Sequence, residues 1–154
     1  MAVYTLMYDK TVTLFNRYQS SLGDLWYPTV LHGVDLIVDR ASIVAKYGEE
    51  SSGEAKLHIR YSVVKGADNI QGKIYLPPKE WDRQPNDSLS DYITFTGGED
   101  FDFIWEGEMP GGPIQDEDYK NGFYDYMNTR YDHVYAVVSV AKYGVIPHFE
   151  IIAK

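Results

Sequence analysis

Polar and apolar residues alternate most regularly over residues 55–61: Ala55, Leu57, Ile59 and Tyr61 fall on one side, Lys56, His58 and Arg60 on the other. A two-residue period belongs to a half-buried strand. Residues 11–18 predict another strand. Its pattern is less regular, because Thr11, Thr13 and Arg17 share a side with Phe15. The polar cluster at 19–24 predicts a turn, and residues 25–31 return as a second strand. Pro28 has no N–H to give to a ladder, which places that strand at an edge. The two strands make a hairpin, and residues 34–38 add a short third strand. Residues 41–47 fit a short helix or a strand equally well, and the polar, glycine-bounded stretch 48–54 predicts a mobile loop.

Further along, residues 73–76 predict a strand that stops at Pro77-Pro78, and Pro78 suits the first turn of a short helix through Trp81. A loop follows over 82–91. Residues 92–96 and 101–105 predict two strands joined across Gly97-Gly98-Glu99-Asp100, and the Gly- and Pro-rich stretch 107–113 a surface loop. Residues 116–127 carry the one helical pattern, with Tyr119, Phe123, Tyr126 and Met127 on one stripe. Asp116, Glu117 and Asp118 would complement its dipole, while Gly122 weakens it. Residues 134–140 are apolar on both faces and predict a central strand buried on both sides, where an aspartate at Val138 would be severely destabilising. Gly144 marks a turn before a final strand at 149–152. The expected class is mainly β: a small β-barrel or sandwich of short antiparallel strands with one packed helix at about 116–127. Residues 1–154 are expected to form a single barrel-like domain.

Composition narrows the function. The absence of cysteine excludes a disulfide scaffold, a thiol nucleophile and a thiolate zinc site. The start Met1-Ala2-Val3-Tyr4-Thr5 lacks the basic and apolar blocks of a signal peptide, and the apolar-rich run 134–141 is too short to span a bilayer, so no membrane role is expected. A net charge of −9 repels phosphate, which argues against specific nucleic-acid binding but suits a passage through which DNA slides. Fourteen tyrosines suit both sheet packing and protein interfaces.

The search for chemistry finds no catalytic, cofactor or metal site. His32, His58, His133 and His148 lack zinc-helix spacing. Asp116-x-Asp118 opens like a calcium loop, but Lys120 and Asn121 occupy positions five and six, where a ligand and a glycine are needed. The acidic clusters at 49–54, 99–102 and 116–118 contain no matched acid and base. The chain has no nucleophile elbow, phosphate loop or dinucleotide fingerprint. Lys56, His58, Arg60 and Lys65 form a modest basic cluster that reads as a solvated strand face. A non-enzymatic protein is therefore expected, acting through loops, with Glu49, Glu50, Ser51, Ser52, Met109 and Ile114 as candidate interface residues. A carbohydrate- or peptide-binding module is the alternative, in which Trp26, Trp81 or Trp105 stacks on a ligand; core packing is the expected fate of at least two of them.

Three segments carry a family resemblance. They are Val12-Thr13-Leu14-Phe15-Asn16-Arg17-Tyr18 with Trp26-Tyr27-Pro28-Thr29-Val30-Leu31-His32-Gly33-Val34, then Ala55-Lys56-Leu57-His58-Ile59-Arg60-Tyr61, then Val134-Tyr135-Ala136-Val137-Val138-Ser139-Val140-Ala141-Lys142 with Pro147-His148-Phe149-Glu150-Ile151. Together they resemble small structural proteins of the tailed-phage head–tail connector, of the head-completion or head-closure (stopper) type. The segment 66–130 has no counterpart in that pattern. The resemblance implies a β-barrel that forms a homo-oligomeric ring, hexameric or dodecameric, in the virion neck. Portal or adaptor proteins would contact it on one side and tail proteins on the other, with DNA in the ring lumen. It also implies assembly in the host cytoplasm. A tail-terminator or other neck protein is similar in the same way.

Overall fold

The computed structural model describes residues 8–38 and 55–154. The predicted segment 41–47, the loop 48–54 and the first five residues lie outside these. The strands are β1 (Lys10–Ser20), β2 (Gly23–Val38), β3 (Ala55–Arg60), β4 (Ser62–Val64), β5 (Ala67–Ile70), β6 (Lys73–Tyr75), β7 (Tyr92–Ile93), β8 (Phe103–Trp105), β9 (Ile114–Gln115), β10 (Val134–Tyr143) and β11 (His148–Ala153). Two α-helices, α1 (Pro78–Asp82) and α2 (Phe123–Arg130), and 3-10 turns at Asn86–Asp91 and Asp116–Asp118 complete the described elements.

Six antiparallel strands close into a barrel in the order β1-β8-β10-β11-β3-β2, with β2 returning to pair with β1 and β9 attached to β2 as an extra strand. The alternation of Ala55, Leu57 and Ile59 turns those side chains inward. They meet Val12, Leu14, Leu31, Val34, Ile104, Val137, Phe149 and Ile151 in a filled interior. The predicted second and third strands are one long strand, because Gly33 adopts a φ of 62° and the β1–β2 register slips between Lys10 and Val12. The slip moves the inward side from Leu31 to Val34, so a single strand serves the barrel on both sides of the bend. The strand of Pro28 is not an edge strand, since β2 pairs with β1, β3 and β9. Pro28 sits opposite Phe15 on a stretch of β2 between the β9 and β3 pairings, where no described strand takes the other flank and a missing N–H is tolerated.

The second sheet, β4-β5-β6-β7, had no prediction over its first two strands. Its turns are Lys65-Gly66 and Gln71-Gly72, each with positive φ at both residues, the geometry that two-residue hairpin loops need. Ile70, Ile93 and Phe95 join the barrel's interior cluster, so this sheet and the segment after it cover one mouth of the barrel.

A further layer lies outside the wall. Phe15, Trp26, Phe103, Phe123, Met127 and Val134 form an aromatic cluster between β1, β2, β8 and α2, with Phe15 stacked on Phe103 at 4.7 Å between ring centres. A third cluster, Tyr27, Trp81 and Leu89, lies under α1 and the first 3-10 turn. The irregular pattern of β1 now has its cause: both of its faces are covered, the inner by the barrel core and the outer by the aromatic layer.

Two further expectations are corrected. The predicted helix at 116–127 is a 3-10 turn followed, after a break, by α2. Gly122 takes a φ of 93°, and the Asp116 carboxylate accepts the Phe123 backbone N–H at 2.8 Å, so the chain stops and restarts there. The indole N–H of Trp26 donates to the same oxygen at 2.8 Å, which ties the helix start to the barrel. The second correction concerns β10, which is buried on both faces only near its start. Val138 is 42% exposed, at a bulge between the pairs Val137–Ala153 and Ser139–Ile152. An aspartate there meets water and should shift stability by only about 0.5 kcal/mol.

The bulge matters through its backbone instead. A Cβ built on Gly97 would lie 2.3 Å from the Val138 carbonyl oxygen, which no rotamer can relieve. We expect Gly97→Ala to lose about 1–3 kcal/mol, as overpacking does, while Val138→Asp melts close to wild type. Urea midpoints of the two variants check this, and the reverse order would show that the close approach is not needed.

Candidate functional site: a buried polar node and two opposed surfaces

The polar residues of β1 converge on one buried carboxylate. Asp102 precedes β8 and is fully enclosed. Its Oδ1 accepts the Arg17 backbone N–H at 2.8 Å, and its Oδ2 accepts the Thr96 N–H at 2.7 Å and the Asn16 side-chain amide at 2.9 Å. Asn16 also donates to the Thr94 carbonyl at 2.6 Å. The node joins β1, the crossing segment 94–96 and the approach to β8. Burial pushes the Asp102 carboxyl up to about 7, against the pull of its three donors and of Arg17. The Arg17 guanidinium lies over Trp26 at 4.6 Å and bonds Asp24 at 3.3 Å.

A second polar group spans three strands on the outer wall. His58 is buried, with Nδ1 3.1 Å from the Asp35 carboxylate on β2 and Nε2 3.0 Å from that of Glu150 on β11. The predicted solvated basic face is thus divided: Lys56, Arg60 and Lys65 are exposed and His58 is enclosed. The hollows lined by Leu22 and Asp24, by Tyr27 and Asp87, and by Tyr119 and Tyr126 include neither Asp102 nor His58 in their linings. Among the described residues no cluster of three His, Asp or Glu side chains is placed to hold a metal ion. Trp26 and Trp81 are core residues, and Trp105 packs against Tyr131 at 5.0 Å. Among the described residues no helix is long and apolar enough to cross a membrane.

Of the candidate interface residues, Glu49, Glu50, Ser51 and Ser52 lie outside the described residues. Met109 and Ile114 are half-buried against the aromatic cluster. Ile114 pairs with Trp26 through β9. The Thr13 hydroxyl donates to the Gly107 carbonyl and accepts the Met109 N–H, both at 2.9 Å, which pins the loop to β1. The described side chains that do stand free are others. On one wall, the turn between β10 and β11 carries Val145, 98% exposed, and Ile146, 73% exposed. Val63 and Val64 of β4 are exposed beside it, because the Tyr61 hydroxyl donates to the Tyr143 carbonyl and Lys142 pairs with Asp68 of β5. On the opposite wall, Leu22 projects from the β1–β2 turn. There, two adjoining hollows of about 340 and 400 Å³ share Asn86 and Pro113, with Asp24, Asp87 and Glu117 along them. Loop composition alone could not reveal these positions; the turn residues around Gly144 and Gly23 were the available signal.

A closed antiparallel barrel with a filled interior, an outer aromatic layer and apolar residues on exposed hairpin turns defines the class of this protein. More narrowly, the chain belongs to the family of unknown function DUF6751, whose model matches residues 7–154. Neither the curated proteins nor the solved structures contain a match to it.

The node gives a pH signature with a definite sign. Because the folded Asp102 holds its proton up to about 7 and the unfolded one releases it near 3.8, the folded state binds more protons between those values. Its contribution to stability is whole below the lower value and is lost as pH rises through the upper one. We expect wild type to gain stability relative to Asp102→Asn as pH falls from 7.5 to 4.5 (about those limits). Urea denaturation of both proteins at the two pH values measures this, and a gap that is constant or moves the other way would refute it.

Proposed function

We propose that this chain is a non-enzymatic structural component of a tailed-phage virion neck, a head-closure ring between the portal or adaptor and the tail. The observation that carries the reading is the exposed apolar set Val145, Ile146, Val63, Val64 and Leu22 on a barrel whose own core is complete. Such residues gain by burial against other chains. The strand segments that resemble connector proteins supply five of the six barrel strands: β1, β2, β3, β10 and β11. Strands β5, β6 and β7 of the second sheet and α2 come from the stretch that has no counterpart there. The barrel is filled by side chains, so DNA would pass through the centre of a ring of copies, where net negative charge disfavours sticking. Assembly would take place in the host cytoplasm and the product would reside in the virion.

Deleting the gene from its phage or prophage and imaging the lysate by electron microscopy tests the reading. We expect free tails beside heads that have packaged and then lost their DNA. Heads joined to tails of irregular length would point to a tail terminator, and intact virions would end the neck assignment.

A further inference from the structure

The two exposed surfaces lie across the barrel from each other. In the order β1-β8-β10-β11-β3-β2, the β1–β2 and β10–β11 hairpins are separated by β8 on one side and by β3 on the other. Their chemistry is complementary. The β10–β11 turn and β4 present Tyr143, Val145, Ile146, Val63 and Val64, with the exposed Lys65 at the β4–β5 turn. The facing wall presents Leu22, Leu25 and Pro113 along a groove whose charged residues are Asp24, Asp87 and Glu117. Among the described residues no salt bridge engages Lys65, Asp87 or Glu117.

From this we infer that the β10–β11 turn of one copy docks into the groove beside the β1–β2 turn of a second copy of this chain, head to tail. Burying Val145 and Ile146 against Leu22 and Leu25 removes apolar surface from water. Lys65 then approaches the groove carboxylates, a pairing that selects this orientation over tip against tip, where like charges would meet. Because donor and acceptor occupy opposite walls, each copy makes the contact twice, and repetition closes a ring when the rotation allows. The inference deepens the neck reading, on which it rests only for where the ring is placed.

The natural lack of cysteine makes the contact directly testable. The double variant Val145→Cys/Leu22→Cys, mildly oxidised in low salt, should give a ladder of covalent oligomers, and each single variant should stay monomeric. Both positions are highly exposed, so folding is preserved. Lys65→Glu in the double variant should reduce the ladder several-fold, and adding Glu117→Lys should restore it. A double variant that stays monomeric, or a Val145→Cys single variant that cross-links to itself, would overturn head-to-tail docking. If the ladder fails while deletion of the gene still separates heads from tails, the contact is wrong and the neck reading stands. If the ladder forms and virions lacking the gene are intact, the contact stands and the neck reading falls.

Discussion

Strand β1 has no free edge and no free face along its middle. It hydrogen-bonds to β2 on one side and β8 on the other, and it is the strand at which the barrel closes. Its inner side chains enter the barrel core while Phe15 enters the outer aromatic layer. On a strand so enclosed each hydrogen bond lost to a buried group costs about 1–3 kcal/mol. Apart from the Arg17 Nε, which is buried without a partner, the polar groups of its middle are bonded. Thr13, Asn16 and Arg17 therefore dictate their surroundings. Thr13 holds the 107–109 loop, Asn16 and the Arg17 backbone hold Asp102, and the Arg17 carbonyl accepts the Trp81 indole N–H at 3.0 Å. Each of these bonds brings a distant segment against the strand.

The outer layers follow from that arrangement. Phe103 is placed against Phe15 by the β1–β8 register, and Trp26 completes the aromatic floor on which α2 rests. Alpha-2 is only two turns long and would not be stable alone. It persists because Phe123 and Met127 are buried on that floor and because Asp116 accepts its first N–H. Asp116 is thus committed to the indole of Trp26 and the helix start, which gives the acidic stretch at 116–118 a structural task. The small sheet has the same dependence, since its buried Ile70 and Ile93 are completed by the barrel interior.

Among the described residues, the Asp102 node and the His58 group are bonded internally and leave little for contact with other molecules. Among the described residues the most exposed apolar side chains are at the hairpin turns and on β4, the edge strand of the small sheet. An edge strand with free backbone groups and exposed valines is a natural meeting place for another chain. That placement, more than any pocket, makes assembly the reading that best accounts for the surface.

The mainly β class, the inward side of β3, the hairpin of β1 and β2, the α1 turn at Pro78 and the closing β10–β11 pair were legible in the chain, because a two-residue period, proline and turn residues act locally. The candidate surface was not. Met109 and Ile114 belong to a loop whose composition promised freedom, yet Thr13, ninety-odd residues away, pins it. His58 alternated as an outward residue and is nevertheless enclosed, because Asp35 and Glu150 arrive from neighbouring strands. Val138 lay in an apolar run and is exposed, because the bulge and the backbone of Gly97 decide which way it faces. Sequence pattern by itself determined where strands and turns form and which side of β3 faces inward. Only the tertiary structure decided which strands are covered twice, which charges are enclosed and which turns stand free, because burial depends on what packs against a face and that partner is remote in the chain.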